Sequence, residues 1–283
     1  MLKGNKGEWS EIYAFCYLLS QGILRAADKD LNPTAVYFPI LKIIREELSG
    51  TILNYFPCDA NWKSIRIFDG DTLLKTVNKE EFETVVAELL EKIPEGNRAF
   101  EIPSVNDFFS LIFVNKLKAD SAHKQDIDIQ IHDIHTGISP VCGFSIKSYL
   151  GAKPTLINPG KNTNIAYNII GCSDEIAKNV NRIETRTKII DRVNELVNNE
   201  CVFEFDSMVS TQFQENLQFI DSQMPIILAH ALLIAYRNNI KKLSDVIEIL
   251  KAENPLKFSN TNMYEYKFKK FLCAAALGMT PER

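Results

Sequence analysis

The sequence predicts an α/β protein with a helical C-terminal half, and three observations carry that prediction. Residues 125–150, QDIDIQIHDIHTGISPVCGFSIKSYL, hold two runs of alternating apolar and polar side chains around a turn-rich HDIHTGISP. That is the pattern of a β-hairpin with one buried face. Residues 6–24 and 79–93 repeat apolar side chains at helical spacing. From 210 onward helical runs follow one another, among them MPIILAHALLIAY, apolar nearly all round and hence expected to be buried.

Taken in order, the helix at 6–24 gathers Trp9, Ile12, Tyr13, Cys16 and Leu19 on one side. Glu8 and Glu11 are three residues apart and so neighbours on its surface, where acidic side chains suit the helix dipole. The stretch YFPILKIIREELSGTILNYF, 37–56, reads as strand-then-helix or strand-loop-strand, and 64–68 as a short strand. The helix at 79–93 carries Phe82, Val85, Val86, Leu89 and Leu90, and another helix is expected over 103–118. Beyond the hairpin, Leu156 and Ile157 continue an apolar strand, Asn158-Pro159-Gly160 is a turn signal, and 165–170 is a second strand. Residues 173–198 form one long charged helix or two, with Ser173 as N-cap. Helices at 243–251 and 264–277 close the chain, and His230 within the apolar run is read as a core histidine.

Composition excludes several classes. Hydrophobic residues make up 46% of 283, which supports a substantial core. The net charge of −4 gives no overall basic field, so a nucleic-acid partner would need a local basic cleft. The six cysteines, Cys16, Cys58, Cys142, Cys172, Cys201 and Cys273, are scattered without a CxxC and read as buried, reduced thiols. MLKGNKGEWSE is too polar for a signal peptide, and no apolar run is long enough to span a membrane, so a cytoplasmic protein without a membrane partner is expected. There is no Walker loop, GxGxxG or GxSxG, which leaves a nucleotide cofactor or a serine nucleophile without support. His132 and His135 lack a third ligand at suitable spacing.

The hairpin carries the chemistry. Alternation sets Ile127, Ile129 and Ile131 on one face and Asp126, Asp128, Gln130 and His132 on the other. In the second run Phe144 and Ile146 share a face, opposite Ser145 and Lys147. An acidic pair and a lysine thus converge across neighbouring strands. A carboxylate holding a divalent cation beside an ammonium is what phosphodiester cleavage requires. Solvated strand faces also carry Asp and Lys routinely, so the pattern by itself does not decide.

GNKGEWSEIYAF near the start, then GFSIKSYLG and TLINPGKNTNIAYNIIG, resemble in that order three blocks of the HpaII family of type II restriction endonucleases. The resemblance runs over most of the chain and implies the PD-(D/E)XK nuclease fold, a mixed sheet flanked by helices. It also implies a single restriction-endonuclease-like domain, with the nuclease core over 1–172 and a helical section over 173–283. The family's site pairs an Asp on one strand with acidic-x-Lys on the next. Carried over, the Asp is Asp126, with Asp128 as fallback, and the lysine is Lys147; the acidic position is Ser145. The missing carboxylate is then expected from elsewhere: Glu11 by preference, otherwise Glu8 or Glu184. Asp126 and Glu11 would ligate Mg²⁺.

Asn158, Lys161, Asn162, Thr163 and Asn164 are candidate DNA contacts, although amides and hydroxyls beside turns commonly serve the loop backbone. Double-stranded DNA is the implied partner, CCGG the implied target, and a homodimer or sequential nicking the implied mode of cutting. The resemblance further implies that family chains continue past LGMTPER, so a short C-terminal section is expected to be missing. Two other readings stand beside the nuclease: an inactive DNA-binding protein of the same fold, favoured by Ser145, and an α/β protein with no nucleic-acid role.

Overall fold

The computed structural model describes residues 2–47, 50–57, 63–117, 125–151, 157 and 160–281, which pack as two compact units, Met1–Pro154 and Thr155–Arg283. Leu156 and Asn158, named above for a strand and a DNA contact, lie outside the described residues, as does Cys58.

The first unit runs β1 (Lys3–Gly4), α1 (Lys6–Gln21), β2 (Ile23–Ala27), β3 (Pro33–Glu46), β4 (Ile52–Phe56), β5 (Ser64–Asp69) and β6 (Thr72–Asn78). It continues through α2 (Lys79–Glu95), β7 (Phe100–Glu101), α3 (Asn106–Leu111), β8 (Ile127–Ile131) and β9 (Val141–Phe144). Its main sheet has the order β6-β5-β4-β3-β8-β9, with β2 paired to the N-terminal part of the long β3. Among the described residues every strand pairing is antiparallel, which corrects the expected mixed sheet. The reason lies in the connections. Strands β3 to β6 are neighbours in the sheet in chain order with few residues between them, and β8 and β9 are joined by the predicted hairpin, so among the described strands no parallel pairing arises.

Helix α1 begins where Asn5 caps it: the Asn5 side chain accepts from the Gly7 and Glu8 amides, and Glu8 Oε2 accepts from the Asn5 amide at 2.8 Å. It ends at Gly22, whose φ of 68° is left-handed, so Leu24 belongs to β2 and not to the helix as expected. Its apolar side buries Trp9, Ile12, Phe15, Cys16 and Leu19 in one core with Ile43, Tyr55, Ile65, Ile67 and Ile129. Phe15 meets Tyr55 edge-on at 4.9 Å. Burial pushes the Cys16 thiol up to about 12, so it acts as a small apolar side chain.

The helix expected over 103–118 is a 3₁₀ turn at Pro103–Val105 followed by α3, which stops at Leu111. The apolar spacing continues, and Val114 and Leu117 are buried, but Phe113 turns left-handed at φ 62°. Tyr55 Oη donates to the Ile112 carbonyl at 2.9 Å, so a buried tertiary partner satisfies that carbonyl.

The second unit holds β10 (Ile165–Ile170), α4 (Asp174–Asn181), α5 (Lys188–Asn198), β11 (Val202–Met208), α6 (Thr211–Ile220), α7 (Met224–Arg237), α8 (Leu243–Glu253) and α9 (Asn262–Ala276). Ser173 caps α4 through its hydroxyl, as expected. The charged run is two helices; Arg192 on α5 donates to the Asn181 and Ile183 carbonyls where α4 ends. Strand β10 pairs with β11 inside this unit. VFEFDSM alternates, with Glu204 and Asp206 outward, and this period-two signal is where sequence reading passed over a strand. His230 is half-buried rather than in the core, and burial pushes its imidazole below the ordinary value. Among the described residues no single helix is long and apolar enough to cross a membrane.

Candidate active site

The predicted hairpin is β8–β9, with Ile127 opposite Phe144, Asp128 opposite Gly143 and Gln130 opposite Val141. Ile127, Ile129 and Ile131 are buried, while Asp126, Asp128 and Gln130 are half-buried on the strand that sits between β3 and β9. The alternation in β9 continues past the strand's end: Phe144 and Ile146 pack on the core, and Ser145 and Lys147 are exposed. The faces are therefore as read from the sequence. A loop closes the hairpin, in which the His135 amide donates to Asp133 and holds that carboxyl below the usual range. His132 Nδ1 lies 2.9 Å from the Ser139 hydroxyl, a partner within the hairpin.

Asp126 joins the two strands where the chemistry is expected. Its amide donates to the Phe144 carbonyl at 2.9 Å, and its Oδ2 accepts from the Ile146 amide at 2.6 Å. The carboxylate is thus fixed to the backbone between Ser145 and Lys147, with one edge already committed. Gly143 makes room for this: a Cβ there would stand 2.8 Å from the Gln125 side chain. Helix α1 holds the same segment from the core side, since the Ser10 and Ser148 hydroxyls are 2.8 Å apart.

Beside Asp126 opens a cleft of about 190 Å³. Its walls include Phe15 of α1, Arg45, Glu46 and Ile52 at the β3–β4 end, Asp126 just before β8 and Asp128 on it. A hydrated ion and a phosphate fit such a volume, whereas a duplex does not. Ser145 and Lys147 stand outside its walls, reached from it through Asp126. Arg45 is held from behind: its Nε lies 2.6 Å from Glu47 Oε1, it donates to the Lys116 carbonyl, and its guanidinium lies over the Phe15 ring at 5.4 Å. Glu47 is almost fully buried and also accepts from the Asn115 amide. Arg45 is therefore an anchored wall and not a loose cation.

The expected sources of a second carboxylate separate. Glu8 is folded back on the start of α1. Glu184 is paired with Lys188 and Arg192 in the second unit. Glu11 is half-buried one helical turn before the cleft residue Phe15. Glu46, which lines the cleft itself, was missed; it lies in IIREEL, read as either strand or helix, and the structure makes it the last residue of β3, on the same cleft as Asp126. Among the described residues no three His, Cys, Asp or Glu side chains form a closed metal cage. The oxygen donors present suit Mg²⁺, which takes one or two carboxylates and completes its shell with water and phosphate.

Of the candidate DNA contacts, Lys161 and Asn164 are exposed on a short 3₁₀ turn leading into β10. The Thr163 hydroxyl sits 2.9 Å from both the amide and the carbonyl of Gly160, serving the turn. Asn162 is half-buried there.

A model of the HpaII restriction endonuclease family matches residues 5–283. The type II restriction enzyme HpaII of Haemophilus parainfluenzae is 37% identical over 293 residues, covering 99% of this chain and 78% of that enzyme. No solved structure matches the chain.

Proposed function

The chain belongs to the HpaII restriction endonuclease family, and from that premise we propose that it hydrolyses double-stranded DNA at CCGG with Mg²⁺, using Asp126 and the Ser145–Lys147 segment. The observation that carries this reading is the 2.6 Å contact from the Ile146 amide to Asp126 Oδ2, which brings the carboxylate to the Ser-x-Lys segment. We read α1, β3, β8 and β9 as the core of a PD-(D/E)XK nuclease.

Asp126 would hold the metal through the oxygen not engaged by Ile146, with Asp128, farther along the same cleft, in support. When bound, a divalent cation neutralises the scissile phosphate and acidifies water beside it. Lys147, exposed next to this point, orients the attacking water or takes its proton. Ser145, exposed beside that carboxylate, would offer its hydroxyl as a hydrogen-bond partner to water there. Glu11 is the helix-borne carboxylate nearest the cleft in sequence terms, one turn from Phe15. The products carry 5′-phosphates. Lys161 and Asn164, with Asn162, contact the duplex, and Thr163 stiffens their turn. A two-fold target such as CCGG suits a homodimer or sequential nicking by one chain.

The test is digestion of a sequenced plasmid with Mg²⁺, with fragment ends mapped, alongside Lys147→Ala. Cuts at CCGG that fall by about 10²-fold or more in the variant support the proposal. Ser145, in place of the acid, favours a second reading, an inactive DNA-binding protein. That reading predicts CCGG binding with no cutting by either protein.

A further inference from the structure

Within that nuclease reading, we infer that Glu46 supplies the carboxylate that Ser145 lacks. On β3, Ile44 is the register partner of Asp128, and the antiparallel partner strand runs the other way. Two residues further along β3 therefore return to the same face, displaced toward the end of β8 where Asp126 stands. That residue is Glu46, itself paired with Ile52 of β4. Glu46, Ile52, Asp126 and Asp128 all line the one cleft.

The charge balance points the same way. A phosphodiester approaching Asp126, Asp128 and Glu46 meets only negative charge from them. The cleft's cation, Arg45, is already held by Glu47 and the Lys116 carbonyl. Carboxylates gathered where a phosphate must bind require a divalent cation between them. Glu46 is exposed and lines the cleft, and the other expected donors are placed less well: Glu8 caps its own helix and Glu184 is ion-paired. Glu11 is half-buried on α1 and does not line the cleft. The metal pair is thus Asp126 with Glu46, one carboxylate from each of two adjacent strands.

The experiment measures Mg²⁺ affinity by calorimetry, cleavage of a CCGG plasmid, binding to a CCGG duplex in EDTA, and metal-free melting, for wild type, Glu46→Gln and Lys147→Ala. The expected result is a Mg²⁺ affinity roughly tenfold or more weaker in Glu46→Gln, with cleavage lost. Melting stays unchanged, and metal-free duplex binding is equal or tighter, since a negative charge is removed. Glu46→Gln that binds Mg²⁺ as wild type does, whether or not it cuts, overturns the assignment. If Lys147→Ala is then inactive while wild type cuts, the nuclease reading stands and only Glu46 falls. A wild type that neither binds Mg²⁺ nor cuts overturns both.

Discussion

At the residue scale the site depends on how tightly a few backbone contacts place one carboxylate. Asp126→Asn keeps the shape and the acceptor oxygen for the Ile146 amide but removes the charge. Cleavage should fall by about 10²-fold or more while duplex binding without metal persists, which a gel-shift in EDTA beside a cleavage assay would check. Gly143 makes a second prediction possible. Gly143→Ala would push against Gln125, the neighbour of Asp126, so cleavage should drop by up to about 10²-fold with little change in fold; unaltered kinetics would show that the close approach is incidental. The types of these residues were readable from the sequence, and so was the outward face shared by Ser145 and Lys147. Glu46 was not, because its strand assignment was open and its neighbours in space come from β4 and β8.

At the scale of elements, two buried ion pairs tie parts of the chain together. Glu47 neutralises Arg45 at the end of β3 and also holds the Asn115 amide, so it links the cleft wall to the segment beyond α3. Glu47→Ala leaves a buried guanidinium without its carboxylate and should cost about 3–5 kcal/mol, measured by urea unfolding. A loss under about 1 kcal/mol would mean water takes the carboxylate's place. In the second unit Lys267 of α9 is buried against Asp221 at the end of α6. Burial alone would raise Asp221, but the Lys267 ammonium and the Gln223 amide hold its carboxyl below the usual value. A carboxylate lowered in the folded state contributes fully above its unfolded value and loses that contribution as pH falls through the folded one. The second unit should therefore weaken below pH about 4. Asp221→Asn should be less stable near neutrality and show a smaller further loss in acid. Melting curves at several pH values decide this, and parallel curves for both proteins would exclude the linkage.

For the whole molecule, a net charge of −4 must coexist with binding to a polyanion. Local lysines then carry the salt dependence. Lys161→Ala should flatten the slope of log affinity against log salt by about 0.9 if Lys161 meets a phosphate, and by nothing if the turn before β10 points away from DNA. Lys147→Ala should act similarly on affinity, in addition to its effect on cutting. The slopes thus test whether each lysine meets a phosphate.

The sequence by itself determined the pieces with a strong local period. The β8–β9 hairpin, the amphipathic α1 and α2 and the Ser173 cap all follow from side-chain spacing and turn chemistry, which act over a few residues. Tertiary structure decided what depends on partners distant in the chain. Tyr55 donates to the Ile112 carbonyl where α3 has ended early, β10 pairs with β11 inside a second unit, and the register of β3 with β4 and β8 sets Glu46 and Asp126 on the walls of one cleft. Periodicity tells a strand which face to bury. Which strand lies next to it, and at what offset, is set by packing across the whole sheet.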